Sequence, residues 1–169
     1  MVNMNIRRLF KHWTMPRWRV RQVFPAASLQ AIGQAIAHSE TLHTGQLQLV
    51  IEGALDGAPL FRQQTARERA IDVFAQQRVW DTEHNNGVLI YLLLADRDVE
   101  IVADRGIHAR VGVAAWEGIC QTMEAAFRQG EHTAGLRQGI EAITQLLAAH
   151  FPAAGAAGRN ELPDWPVIL

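Results

Sequence analysis

Residues 85–107, NNGVLIYLLLADRDVEIVADRGI, decide the fold. Residues 88–95 form one continuous apolar run that includes Val88, Ile90 and Tyr91. A strand covered on both faces has this composition. Asp96-Arg97-Asp98 interrupts the run with residues suited to a tight turn. A second strand follows at 99–103, with Glu100 between the β-branched Val99 and Ile101. Asn86-Gly87 opens the stretch and Arg105-Gly106 closes it, both turn signals. The reading is an antiparallel hairpin at the heart of a sheet.

Working outward, residues 45–52 alternate Leu47, Leu49 and Ile51 and read as an earlier strand. Residues 53–64 read as a loop around Gly57 and Pro59. Residues 65–80 are a helix opened by a capping box, Thr65 with Glu68 three residues on. Its buried face takes Ala70, Val73, Phe74 and Gln77, leaving Arg67, Arg69 and Gln76 outside. Strand, helix and strand make a right-handed βαβ unit with parallel strands, so the hairpin renders the sheet mixed. Further helices are expected at 25–41, capped by Ser28 with Leu29, Ile32 and Ile36 inward; at 114–128, with Trp116, Ile119, Cys120, Met123 and Phe127 inward; and at 133–151, with Leu136, Ile140, Ile143 and Leu147 inward. Helices before, between and after the strands can cover both sheet faces. The expected fold is α/β, a three-layer α/β/α sandwich with a central mixed β-sheet.

At 169 residues with net charge −1, the chain has no bulk attraction for nucleic acid. The charge is unevenly placed. Arg7, Arg8, Lys11, Arg17, Arg19 and Arg21 precede the first acidic residue, Glu40. The organisation read from this is a basic N-terminal arm at 1–24, a folded domain at 25–151 and an Ala/Gly/Pro-containing tail at 152–169. Within the arm, residues 4–13 suit a short helix with Ile6, Leu9, Phe10 and Trp13 on one face, stopped by Pro16. Such a face either packs on its own domain or meets a membrane or partner. Residues 153–160 read as a flexible link, whereas Trp165, Val167, Ile168 and Leu169 are apolar enough to dock. The single Cys120 excludes an internal disulfide and a zinc site with several thiolates. No secretory apolar core and no bilayer-length run is present, which points to the cytoplasm, including the periphery of the inner membrane.

The central stretch resembles the signature of the TPM domain family: an Asn-Gly-Val-Leu strand, an Asp-Arg turn, an isoleucine-containing strand and a glycine-bearing exit. The similarity spans roughly residues 25–151, most closely a short soluble bacterial branch. The resemblance implies an α/β/α sandwich. It also implies functions linked to plant thylakoid members, namely photosystem repair, acid phosphatase activity and calcium binding, and a membrane-attached setting for many uncharacterised bacterial members. The exit departs from the family's Gly-x-Gly-Leu-Glu: here it reads Asp104-Arg105-Gly106-Ile107-His108.

Candidate chemistry gathers at the strand ends. Asp81, Glu83, Asn85 and Asp104 share one rim and are the candidate ligands for Ca²⁺ or another divalent cation. The plain alternative is a set of solvated carboxylates. His84 and His108 at the same rim would favour a transition metal. Arg105 and Arg110 are candidate phosphate contacts for a metal-dependent phosphatase, the alternative function, although no Asp-x-Asp, Cys-x5-Arg or clustered-histidine motif accompanies them. No P-loop or G-x-G-x-x-G occurs. Cys120 sits in an apolar stripe and reads as an inert thiol, and no catalytic residue is assigned. The leading expectation is a non-enzymatic accessory or interaction module of the TPM type. Its contacts are Arg7, Arg8, Lys11, Trp13, Arg17, Trp18, Arg19 and Arg21 together with the tail. The expected partner is a protein such as a membrane-bound TPM relative, or the membrane surface itself, and not a nucleic acid.

Overall fold

The computed structural model describes residues 5–153 and 160–169. Residues 154–159, most of the expected link, lie outside the described residues. Three helices come first: α1 (Ile6–Trp13), α2 (Trp18–Val23) and α3 (Ala26–Ser39). Strand β1 (Gln46–Glu52), the short α4 (Gly57–Phe61) and α5 (Ala66–Gln76) follow. The hairpin is β2 (Gly87–Leu93) and β3 (Asp98–Ala103), and three helices come after it: α6 (Arg105–Val111), α7 (Val113–Arg128) and α8 (His132–His150). A two-residue strand, β4 (Val167–Ile168), lies in the tail. The sheet order is β3-β2-β1-β4. β1 runs parallel to both neighbours and β2 antiparallel to β3, so the sheet is mixed as expected.

β2 is buried along its whole length, which explains its unbroken apolar sequence. Val88, Ile90, Leu92 and Leu94 point into one core with Leu47, Leu49 and Ile51 of β1, under α3, α7 and α8. Leu89, Tyr91 and Leu93 point into the other, with Ala66, Ala70 and Val73 of α5 and Leu162 of the tail. The layers are those of an α/β/α sandwich.

The local differences have physical causes. The capping box of α5 forms in full, but the helix stops at Gln76, where Arg78 takes a left-handed φ of 54°. Ser28 does not cap α3; the cap position is Pro25, whose fixed φ suits the residue that turns into a helix. The expected loop after β1 contains α4. The expected turn at Arg105-Gly106 is the first turn of α6, because Asp104 accepts a hydrogen bond from the Arg105 amide and starts a helix there. A Cβ at Gly106 would collide with the Asn85 carbonyl, so the glycine sets how closely α6 seats against the loop before β2. The tail docks on the body. Gln46 Oε1 accepts from the amides of Glu161 and Leu162 at 2.7 and 3.0 Å, Trp165 covers Gly33, and the Leu169 amide donates to Ile51 at 3.0 Å.

Candidate functional site

The two ends of the hairpin define two separate rims. At the first, α6 packs onto the loop before β2. The Asp104 amide donates to Gly87 and the Ile107 amide to Asn85, so Asp104 and Asn85 do come together. Asn85 has a left-handed φ of 51°, which asparagine tolerates better than most residues. Asp104 is buried; one carboxylate oxygen caps α6 and the other has no hydrogen-bond partner. Asp81, Glu83 and His84 are exposed, and the Glu83 amide donates to Glu161 of the tail. Among the described residues, no three His, Cys, Asp or Glu side chains gather as a metal ion requires. Calcium wants about six to eight oxygens. One orphaned carboxylate oxygen falls short of that demand. Arg110 is also committed: its guanidinium donates to the His150 carbonyl at 2.9 Å and lies 4.5 Å over the Phe151 ring.

The helix interior holds a hydroxyl–imidazole pair that the sequence did not single out. Ser39 Oγ lies 2.9 Å from His43 Nε2 and 2.8 Å from Thr144 Oγ1, while His43 Nδ1 donates to the Gly45 carbonyl at 3.0 Å. All three residues are buried. Burial lowers the His43 pKa against the raising effect of the Gly45 carbonyl, so the ring stays neutral and acts as a structural acceptor. Burial likewise pushes the Cys120 thiol up to about 12, so the expected inert thiol fits its surroundings.

The opposite rim is built differently. Asp96, in the hairpin turn, receives Arg8 Nε at 2.9 Å and an Arg8 terminal nitrogen at 2.8 Å on one oxygen, and His12 Nε2 at 2.9 Å on the other. His12 Nδ1 accepts from the Leu55 amide at 2.9 Å, which leaves the ring proton on Nε2, pointing at Asp96. Burial acts to raise the Asp96 pKa, but the hydrogen bonds from Arg8 and His12 together with the Arg8 charge outweigh it and hold the carboxyl below its usual value. Arg8 also donates to the Gln64 carbonyl at 2.7 Å. The arm is therefore clamped to the body, and Arg8 faces inward rather than outward.

This clamp inverts α1. Its polar Arg8 and His12 face the protein, and only Leu9 of its apolar residues turns toward the core. Ile6, Phe10 and Trp13 remain 72, 64 and 85% exposed. With Trp18 of α2, Phe61 of α4 and Leu169 of the tail they border a groove of about 1230 Å³. Its floor is the carboxyl end of β1, the end at which open α/β sheets commonly bind ligands. The polar groups of that floor are occupied. Glu52 accepts two hydrogen bonds from Arg69, at 2.8 and 3.0 Å, and one from the Tyr91 hydroxyl at 2.6 Å. Burial first, then the hydrogen bond to Glu52 and its charge, drives Tyr91 far above its ordinary pKa, so its hydroxyl remains a donor. Arg69, expected on the outer face of α5, is the residue that closes this network. Of the other expected contacts, Arg7, Lys11, Arg17, Arg19 and Arg21 are exposed.

Similarity to known proteins agrees with this architecture. The chain is similar to the BA42 protein of the psychrophilic bacterium Bizionia argentinensis, whose NMR structure it matches at 29% identity and a TM-score of 0.76 over 86% of this chain and 95% of that one. The N-terminal domain of a protein from P. gingivalis has the same fold at 17% identity and a TM-score of 0.60, over 81% of this chain and 90% of that one. No curated protein matches. The family model for the TPM domain matches residues 20–146, from within α2 to within α8, and the chain belongs to the TPM domain family.

Proposed function

We propose that this protein is a non-enzymatic interaction module that docks an envelope partner through the face formed by α1, α2, α4 and the tail. One observation carries the reading: α1 is held by its polar side, through Arg8 and His12 on Asp96, with its apolar stripe facing outward. A helix fixed that way round leaves Ile6, Phe10 and Trp13 for something outside the chain. A membrane-bound protein bearing the same domain is one such partner.

The test is cell fractionation. The intact protein is expected in the envelope fraction, and Phe10→Ser with Trp13→Ser is expected to release it more than tenfold, since each large apolar side chain buried contributes roughly 1.5–3 kcal/mol. Both positions are exposed, so the variant's unfolding midpoint should hold. A wild-type protein that never enters the envelope fraction, or a variant retained equally well, overturns the reading.

The second reading, a divalent-cation-binding domain with metal-dependent phosphatase activity, is favoured only by the orphaned oxygen of Asp104. With no ligand set gathered among the described residues, thermal unfolding should be unchanged by Ca²⁺ or Mg²⁺ against a chelator control. A ligand at a hundred times its dissociation constant would add about 2.7 kcal/mol. A shift of that order, lost in Asp104→Asn, would restore the cation site.

A further inference from the structure

We infer that the partner of this face is an anionic phospholipid bilayer, with the aromatic rim of the groove seated at headgroup depth. The inference rests on the docking reading above and names its occupant. The adjacent helices α1 and α2, the distant α4 and the tail bring their exposed apolar side chains to one border: Phe10 and Trp13 from α1, Trp18 from α2, Phe61 from α4 and Leu169 from the tail. Tryptophan is the side chain best suited to a membrane interface, being apolar in body with a polar N–H. Two of the chain's five tryptophans stand on this rim.

Charge points the same way. Arg7 and Lys11 of α1, Arg17 at the start of α2, and Arg19 and Arg21 of α2 are exposed and make no ion pair with a described residue. Basic residues interleaved with large apolar ones on short amphipathic helices suit a negatively charged surface, with the long stems running beside the apolar groups. The groove lining that includes Arg17 and Arg21 also includes the Asp56 carboxylate. The rest of the chain beyond residue 39 carries ten basic and 17 acidic residues, so the molecule is polarised and would approach such a surface arm first.

The floor argues against a small polar ligand. Glu52 is consumed by Arg69 and Tyr91, and His12 by Asp96 and Leu55, so the polar side chains that would orient such a ligand are already engaged.

The experiment uses the purified full chain and vesicles of phosphatidylcholine, with and without phosphatidylglycerol, read by co-sedimentation and tryptophan fluorescence. Anionic vesicles should bind at least tenfold more tightly than neutral ones, with a blue shift in emission, and binding should weaken as salt is raised. Arg17→Gln with Arg21→Gln should cost about fivefold per charge. Trp13→Ala with Trp18→Ala should abolish both binding and blue shift. Far-ultraviolet circular dichroism and the unfolding midpoint verify that each variant is folded. Equal binding to both vesicle types, or binding untouched in the folded tryptophan variant, overturns the inference. No vesicle binding while envelope fractionation persists also overturns it and leaves the docking reading standing with a protein partner. Failure in both assays removes both.

Discussion

Asp96→Ala lowers the unfolding free energy by about 3 kcal/mol, the low end of the cost of removing one partner from a buried ion pair, since Asp96 and Arg8 are part-buried and only His12 is fully enclosed. The substitution deletes a carboxylate that takes three hydrogen bonds from Arg8 and His12. It strands the His12 Nε2 proton in a side chain with no exposure and leaves a guanidinium with only the Gln64 carbonyl. For a chain of this length the midpoint should drop by about 6–12 °C. Asp96→Asn keeps an acceptor but not the charge and should lose less. The loss has a location: amide exchange should rise through α1 before it rises in β2, because the clamp is what orients that helix. Asp96 is held below its ordinary pKa, so its contribution is present above the ordinary value near 3.8 and disappears as pH falls through the folded value. At neutral pH the effect is therefore at full size. A variant within 0.5 kcal/mol of the parent, the usual range for a surface change, would mean that the clamp does not hold the arm.

The hairpin, the βαβ unit and the capping box of α5 were legible because each writes a local pattern. β2 is apolar at consecutive positions since both its faces are covered, and Thr65 and Glu68 meet across three residues. The short helices α2, α4 and α6 were not legible, being too brief to show a period, and α6 begins at a dipeptide that reads equally well as a turn. The distinction between the two rims followed from strand length alone, at roughly 3.3 Å per residue. The orientation of α1 could not follow. Its sequence offers an apolar face that would ordinarily turn inward, and the reason it does not lies 84 and 88 residues away at Asp96. The same holds for Arg69, which helical spacing assigns to solvent and which Glu52, on the face of β1 that α5 covers, draws inward. The tail was legible as something that must dock, but not as a strand beside β1.

The hold on that tail should depend on pH, and Glu40→Gln exposes it. Glu40 sits at the C-terminal end of α3, accepts from the Leu47 amide at 2.9 Å, and faces Asp164 of the tail. Burial raises its pKa from 4.5 to about 7; the Leu47 amide opposes the rise, and the neighbouring Asp164 carboxyl adds to it. The folded chain thus keeps a proton that the unfolded chain releases at lower pH. This contribution is complete below 4.5 and is lost as pH climbs through about 7, amounting to roughly 2–3 kcal/mol once solvent screening at this partly exposed contact is discounted. Glutamine supplies the acceptor for Leu47 without a charge and can donate toward Asp164. At pH 8 the variant should therefore unfold about 5–10 °C above the parent, and near pH 4.5 the two should converge. Asp98, pushed up to about 6 first by burial and then by Glu100, Glu124 and Asp96, adds a slope of the same sign. His43, lowered by burial, adds one of opposite sign as pH falls below its ordinary 6.5. Both are common to parent and variant, so the difference between them isolates Glu40. An offset equal at both pH values would show that no proton is held at this contact. A converging one would mean that the element placing Trp165 on α3 and Leu169 on the docking groove is gripped more firmly in mild acid than at pH 8.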